Sequence, residues 1–445
     1  MSNRPMGIIG LLAIIAAISG VALYASREES DSRKAQSTVW TFSAAHAVDL
    51  NTLVSDDVHV SLVPARAMDV RLTSMNAADA QNAPDLVEIE IGSLGRHFRG
   101  TAADVPFLPL TDRLRKSGWY DRLSPQRLKA WSHDGEIFGV PLDVHPVVIL
   151  YRQDLFDQAR IDLTHVRTWE QLHASAIAFE GVMKSRQRPT RAMLLPKVSA
   201  DVVLMMLQQR GVDPVDAQGI VHLTDRRVAG TIAFYASMVA GDLAVSTEPS
   251  PGPARWVDDL ENGTTAMVIV ADWAIEELQA NSMPEFRYRL GVRRLPIFDS
   301  TDAPTASWGG TAVAIPRATT DPDGAWALLE QLYLSDAARS VRARAGRPLP
   351  AVVDWWPTDA PASTDTFTTR THREFTAMAH QLPPRVVTPY TGMASGAISM
   401  VLYRATNAVE ADMSDADLLA HIQQWLAEAQ ADLQSRIGFA NLGHR

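Results

Sequence analysis

Gly135-Glu136-Ile137-Phe138-Gly139-Val140-Pro141-Leu142-Asp143 leads through Val144-His145-Pro146 into Val147-Val148-Ile149-Leu150-Tyr151-Arg152-Gln153-Asp154-Leu155-Phe156, and the reading of this stretch decides the fold. The run from Val147 to Tyr151 is short, apolar and β-branched, and Gly and Pro punctuate the chain just before it, so it reads as a buried strand entered from a turn. Outward from it, Val58–Val63, Leu86–Ile91, Ala266–Val270 and Thr311–Ile315 have the same character. Helical patterns lie between them. Thr168 with Gln171 forms a capping box ahead of Leu172–Met183, Thr224–Ala240 stops at Gly241, and a helix from Pro322 through Trp326, Leu329 and Leu332 stops at Gly346. A last helix starts near Ser414 or Asp415, sets Leu418, Ile422, Trp425 and Leu426 on one face, and ends near Gly438. Strands alternating with helices predict an α/β chain, and no fixed-period repeat is present.

The 445 residues are 46% hydrophobic and 21% charged, which is globular composition for two lobes or more. A net charge of −10 and the lack of any Lys/Arg-rich run argue against a nucleic-acid partner. The absence of cysteine excludes disulfides, thiolate metal sites, a cysteine nucleophile and a lipoprotein cysteine. The twelve histidines form no i, i+4 pair on a helix, so neither metal nor cofactor is expected.

Between Arg4 and Arg27 lie 22 uncharged residues, mostly Ile, Leu, Ala, Val and Gly. At 1.5 Å per residue they span a hydrocarbon core of about 30 Å. One N-terminal transmembrane helix is therefore expected, anchoring the protein outside the cytoplasmic membrane. A cleaved signal peptide ending near Leu23-Tyr24-Ala25 is the alternative, and would give a secreted protein.

Four stretches in order resemble the extracellular solute-binding proteins of ABC sugar transporters, the type II family that includes maltose-binding protein. They are Ala83–Ser93, with Pro84-Asp85 before a strand ending at Glu90; Gly135–Phe156, quoted above; Asn262–Trp273, with Ala266-Met267 in a strand running into Trp273; and Trp308–Pro316, followed by Gly346–Val352. The resemblance implies a two-lobed α/β periplasmic-binding-protein fold with three interlobe crossings, near Asp143–Pro146, Pro296–Ser307 and Gly346–Pro350. On that reading residues 1–37 are anchor and linker, 38–143 with 301–346 form one lobe, and 147–300 with 350–445 form the other. Such crossings permit hinge closure on a ligand.

The resemblance further implies a carbohydrate or polyol as ligand and ABC permease subunits as partners, in a periplasmic or other extracytoplasmic setting. A sugar offers hydroxyls at its edge and C–H groups on its faces, which calls for flat aromatics beside fixed polar groups. Of 11 tryptophans, Trp40, Trp273, Trp308, Trp355 and Trp356 fall in or near the matched loops, while Trp326 and Trp425 lie on amphipathic helices and read as core. Trp273 and Trp308 are the expected stacking residues, with Trp40 and Ser93 as further candidates. Glu90, Asp143 and Asp272 stand at strand ends as acceptors for sugar hydroxyls. His145 replaces a carboxylate that several family members carry, which makes it either a contact or a structural hinge residue. Gly309 and Gly310 would let backbone N–H groups approach the ligand, or simply form a tight turn.

Two other functions remain open. Glu90 and Asp143 are formally a carboxylate pair of the kind a glycoside hydrolase uses, but there is no Gly-x-Ser-x-Gly, His-Glu-x-x-His or Walker loop, and no catalytic residue is expected. A membrane-tethered ligand sensor would use the same cleft as a transporter component.

Overall fold

The computed structural model describes residues 37–74, 83–184, 189–240, 244–247, 253–356 and 366–442. The expected N-terminal transmembrane segment lies outside the described residues; among those described, no helix is long and apolar enough to cross a membrane.

Two five-stranded sheets organise the described chain. The first contains β1 (Ser37–Thr41), β2 (Val58–Leu62), β3 (Leu86–Glu90), β6 (Val140–Pro141) and β12 (Thr311–Ala314), in the order β2-β1-β3-β12-β6. β1 runs parallel to β2 and β3, and β12 is antiparallel to β3 and β6, with Ala312 opposite both Ile89 and Pro141. A two-stranded ribbon, β4 (Ser132–His133) with β5 (Glu136–Ile137), stands beside it. The second sheet has the order β11-β7-β10-β8-β9, built from β7 (Val147–Arg152), β8 (Arg191–Pro196), β9 (Ala244–Thr247), β10 (Thr265–Ala271) and β11 (Leu290–Arg294). Here β8 is parallel to β9 and β10, and β7 is antiparallel to β10 and β11.

Helices cover both faces of each sheet, so the central strands are buried on both sides and read as continuous apolar runs. β10 is buried along its whole length, and β3 up to Ile89. In the first lobe one face packs on Leu50, Leu114, Trp326 and Leu329, and the other on Met68, Phe98, Phe107 and Trp131. In the second lobe Phe156, Trp169, Phe179 and Tyr235 fill one face, and Phe286, Phe367 and Phe375 the other.

The chain passes between the sheets from β6 to β7 through Asp143–Pro146, and returns from β11 to β12 through residues 295–310. After the helix Asp336–Arg344 it passes through Gly346–Pro350, where Leu349 enters the second core; Ala351, Val352 and Trp355 pack back into the first core before Trp356, Phe367 and Phe375 join the second. Isolated bridges tie these passages together: Asp143 pairs with Pro350, and Pro146 with Ser307.

Two helix boundaries differ from the sequence reading. The stretch after Pro322 is broken: a helix Pro322–Leu329 runs into a π-helical turn, Glu330–Leu334, and a separate helix Asp336–Arg344 starts at Ser335, whose side chain caps Ala338 N–H. An apolar 3.6-residue pattern survives such a break because the turn keeps Leu332, Tyr333 and Leu334 buried. The last helix, Asp415–Leu442, runs through Gly438, where no left-handed stop is formed. The capping box is present, with Thr168 accepting from Gln171 N–H and the Gln171 side chain accepting from Thr168 N–H. Thr168→Ala is expected to destabilise the second lobe by about 1 kcal/mol, read as a lowered urea midpoint with an unchanged m-value.

Candidate functional site

The strand ends converge on the crossings. β6 ends one residue before Leu142-Asp143, β7 begins after His145, β10 ends before Asp272, and β12 begins after Gly310. Asp143, His145 and Asp272 are all buried here. His145 lies between the two carboxylates, with Nε2 donating to Asp143 Oδ2 at 3.0 Å and Nδ1 to Asp272 Oδ1 at 2.6 Å. The remaining carboxylate oxygens are also used. Asp143 Oδ1 accepts from Thr311 N–H and Arg127 Nη2, and Asp272 Oδ2 accepts from Leu349 N–H on the third crossing. A single imidazolium therefore touches the first crossing, the end of β10 and, through Asp272, the third crossing.

The charge states follow from that geometry. Burial by itself disfavours a charged His145, but the facing carboxylates of Asp143 and Asp272 outweigh it and raise its pKa to about 9. Burial likewise opposes ionisation of Asp143, yet His145 and then Arg127 hold it down to about 2. His145 has φ of 51°, the left-handed region that a non-glycine residue rarely occupies, and the paired carboxylates fix it there.

Arg127 completes the group. Its guanidinium is buried and donates to Asp143 O at 3.0 Å, Ser307 Oγ at 2.6 Å and Gly309 O at 3.3 Å. Gly310, with φ of 144°, is shaped around it: a Cβ at this position would lie 1.7 Å from Arg127 Nη2. Gly309, with φ of 87°, passes close to Trp273 and His145.

Beside this cluster stand the two tryptophans. Trp273 and Trp308 are half-buried and meet edge to face, 6.1 Å between ring centroids at 76°. Trp273 Nε1 donates to Trp308 O at 3.1 Å, and Trp308 N–H donates to His145 O at 3.2 Å, so the charged cluster fixes the indole pair. A cavity of about 70 Å³ opens against Trp308 and Ser307, with Arg385, Asp201, Gln208 and Asp213 on its walls. Val386 belongs to that wall and also to the wall of a larger cavity of about 530 Å³.

The other expected residues are placed differently. Glu90 is half-buried at the end of β3, where its carboxylate caps Gly92 N–H at 2.8 Å; burial raises its pKa, against the pull of Gly92 and Arg385. Ser93 is turned into the first lobe, with its hydroxyl on Asp69 at 2.7 Å. Trp40 does not join the group: it sits within β1, buried in the first core with the Arg71 guanidinium 5.4 Å over its ring. It alternates inward on a strand, and the sequence reading had put it in a loop. Trp355 and Trp356 are buried as well; Trp355 packs edge-on against Trp119, and Trp356 Nε1 donates to Pro350 O. The two tryptophans expected in the core differ: Trp326 is buried, and Trp425 is only half-buried beneath Arg404.

Sequence reasoning missed three arginines. Arg127 lies on a short helix, Pro125–Ala130, where a cation ordinarily faces solvent. Arg385 follows two prolines and reads as loop; it lines the smaller cavity without a hydrogen bond or ion pair to any described residue. Arg347, in the third crossing, ion-pairs with Asp49 of the first lobe and Glu276 of the second, both at 2.7 Å. Only the Gly346–Pro350 motif hinted at its position.

Residues 55–354 match the family described as bacterial extracellular solute-binding protein, a span that takes in all three crossings and the charged cluster. The chain belongs to that family. Among curated solute-binding proteins, it is 21% identical over 307 residues to the arabinooligosaccharide-binding protein of Bacillus subtilis (strain 168), covering 66% of this chain and 68% of that one. It is 22% identical over 318 residues to the lactose-binding protein of Rhizobium radiobacter, covering 67% and 70%. In three dimensions it is similar to the sugar-binding protein MalE of Xanthomonas citri, with a TM-score of 0.71 at 18% identity over 91% of this chain and 99% of that one. It is also similar to the GacH receptor of Streptomyces glaucescens, with a TM-score of 0.68 at 16% identity over 89% and 98%. These likenesses establish the two-lobed solute-binding fold.

Two outcomes test the hinge cluster. The stabilising contribution of His145 is complete below its ordinary value of 6.5, declines as pH rises, and is gone above about 9. That of Asp143 is complete above 3.8 and lost as pH falls towards 2. His145→Gln is therefore expected to lose stability at pH 6 and to flatten the decline from pH 6.5 to 9, measured as Tm against pH. Gly310→Ala is expected to displace Arg127 and disorder the Trp273–Trp308 pair, seen as a lowered Tm and a changed near-UV tryptophan signal.

Proposed function

We propose that this protein is the substrate-binding component of an ABC transporter, taking a sugar or oligosaccharide between its lobes and delivering it to a membrane permease. The observation that carries this reading is the indole pair at the lobe boundary. Two half-exposed rings at right angles present a flat face and an edge, and their backbone and Nε1 bonds fix them before any ligand arrives. Such preorganised aromatic surface suits the C–H faces of a pyranose or furanose, and it loses little entropy on binding. Arg385 and the carboxylates of Asp201 and Asp213 line the adjoining cavity as hydrogen-bonding groups for ring hydroxyls. The names of the curated relatives support a saccharide ligand, and family membership supports an extracytoplasmic setting and a permease partner. The apolar N-terminal segment is the proposed tether to the cytoplasmic membrane.

The cycle needs no covalent step. Ligand contacts with both lobes stabilise the closed form by as much as they exceed contacts in the open form, and the closed form docks on the permease. Micromolar affinity corresponds to about −8 kcal/mol, within reach of one or two stacked indoles and a few charge-assisted hydrogen bonds. A thermal-shift screen against mono- and oligosaccharides identifies the ligand, because a compound binding only the native state raises Tm. With that saccharide, Trp273→Ala is expected to weaken binding at least tenfold, about 1.4 kcal/mol, by calorimetry. Unchanged affinity in a folded variant removes Trp273 from the site, and a screen in which no saccharide raises Tm counts against the carbohydrate reading itself.

A further inference from the structure

The 530 Å³ cavity has walls from both lobes. Phe98, Arg99, Lys129, Val387 and the β4–β5 ribbon with its turn supply the first-lobe side, and Gly219, Tyr390 and Arg436 the other. Its size is that of a site for a small oligosaccharide rather than for a single ring. Val386 lines both this cavity and the smaller one, so the two are neighbours, with Trp308 and Arg385 on the smaller side.

The charge in the chamber is one-sided. Arg99, Lys129 and Arg436 line it against one carboxylate, Asp134, which already accepts from Ala102 N–H. Arg99 and Lys129 are exposed, and their side chains make no hydrogen bond or ion pair with any described residue. Arg436 is paired along its own helix with Asp432, at 2.9 Å. His133 is held by Gly100 O, and its ring stacks on Phe98 at 5.1 Å. The Tyr390 ring lies over Gly219 on the opposite wall. In a chain of net charge −10, two cations of one lobe thus face a third from the other across a chamber with aromatic walls, and the carboxylate that Lys129 attracts, Asp213, stands outside it on the wall of the smaller cavity. As the lobes approach, those like charges repel unless an anion lies between them.

We propose that the ligand is an acidic oligosaccharide, whose uronate carboxylate sits among Arg99, Lys129 and Arg436 while its other end reaches the Trp273–Trp308 pair. This rests on the carbohydrate reading and names its chemical class. The carboxylate turns the interlobe repulsion into attraction, so the charged sugar selects the closed form more strongly than its neutral counterpart does.

The test is calorimetry on the full chain, with di- and trisaccharides of galacturonate and glucuronate each paired with the galactose or glucose oligomer of the same linkage. The quantity read is the affinity ratio, acidic over neutral. A ratio of at least about 10 in 50 mM salt is expected, shrinking in 500 mM salt as the charges are screened. In Arg99→Glu/Lys129→Glu the ratio is expected to fall to 1 or below. Both side chains are exposed, and a Tm matched to the parent verifies folding. Neutral oligomers that bind as tightly as their acidic partners, or a ratio untouched by the double substitution, overturn the acidic-ligand inference and leave the carbohydrate reading standing. Failure of every acidic and neutral oligomer to bind overturns both.

Discussion

One protonated imidazole held between two buried carboxylates is the constraint on which the rest of the molecule depends. Removing three ionised groups from water is costly, and pairing in a low-dielectric interior does little more than offset the loss. The return is geometric. With Asp143 on the first crossing, Asp272 at the end of β10, and Leu349 bonded to Asp272, three separate passages of chain meet at one ring. Were His145 neutral, it would have one N–H to donate and leave one carboxylate oxygen, Asp143 Oδ2 or Asp272 Oδ1, without its donor, so charge and connectivity are the same property here.

That cluster also determines where the aromatic surface stands. Trp308 hangs from the His145 carbonyl, and Trp273 from the Trp308 carbonyl, so the indoles inherit their position from the hinge through two backbone acceptors. Arg127 reaches the same loop from below, and glycine at 310 is what makes room for it. The proposed binding surface and the interlobe crossings are therefore built from one network. On that proposal, a ligand pressing on the rings acts directly on the residues that join the lobes.

Much of the fold was legible in the sequence because the central strands are buried on both faces. Thr311–Ala314 and Thr265–Ala271 appear as unbroken apolar runs for that reason, whereas β1, with its polar threonines, and the edge strand β9 carry no such signature. Chain motifs brought Asp143, His145, Asp272, Trp273 and Trp308–Gly310 to one place, since each follows or precedes a recognisable strand. Trp40 went astray through its strand being missed, and Ser93 through a local bond to Asp69 that no spacing reveals. Arg127 and Arg347 stayed hidden because partners lie far away in sequence: 180 residues separate Arg127 from Ser307, and 298 separate Arg347 from Asp49. Long-range charge pairing leaves no periodic trace.

Arg347 carries a mechanical consequence. Its guanidinium grips a carboxylate on each lobe at the third passage, while the imidazole grips the first. A body pinned at two neighbouring points against another retains a single easy motion, rotation about the line through the pins; twisting or sliding would have to tear a fork of ionic bonds. On the proposed closing cycle, the two halves swing like a door on two knuckles, and every arriving guest meets the same track.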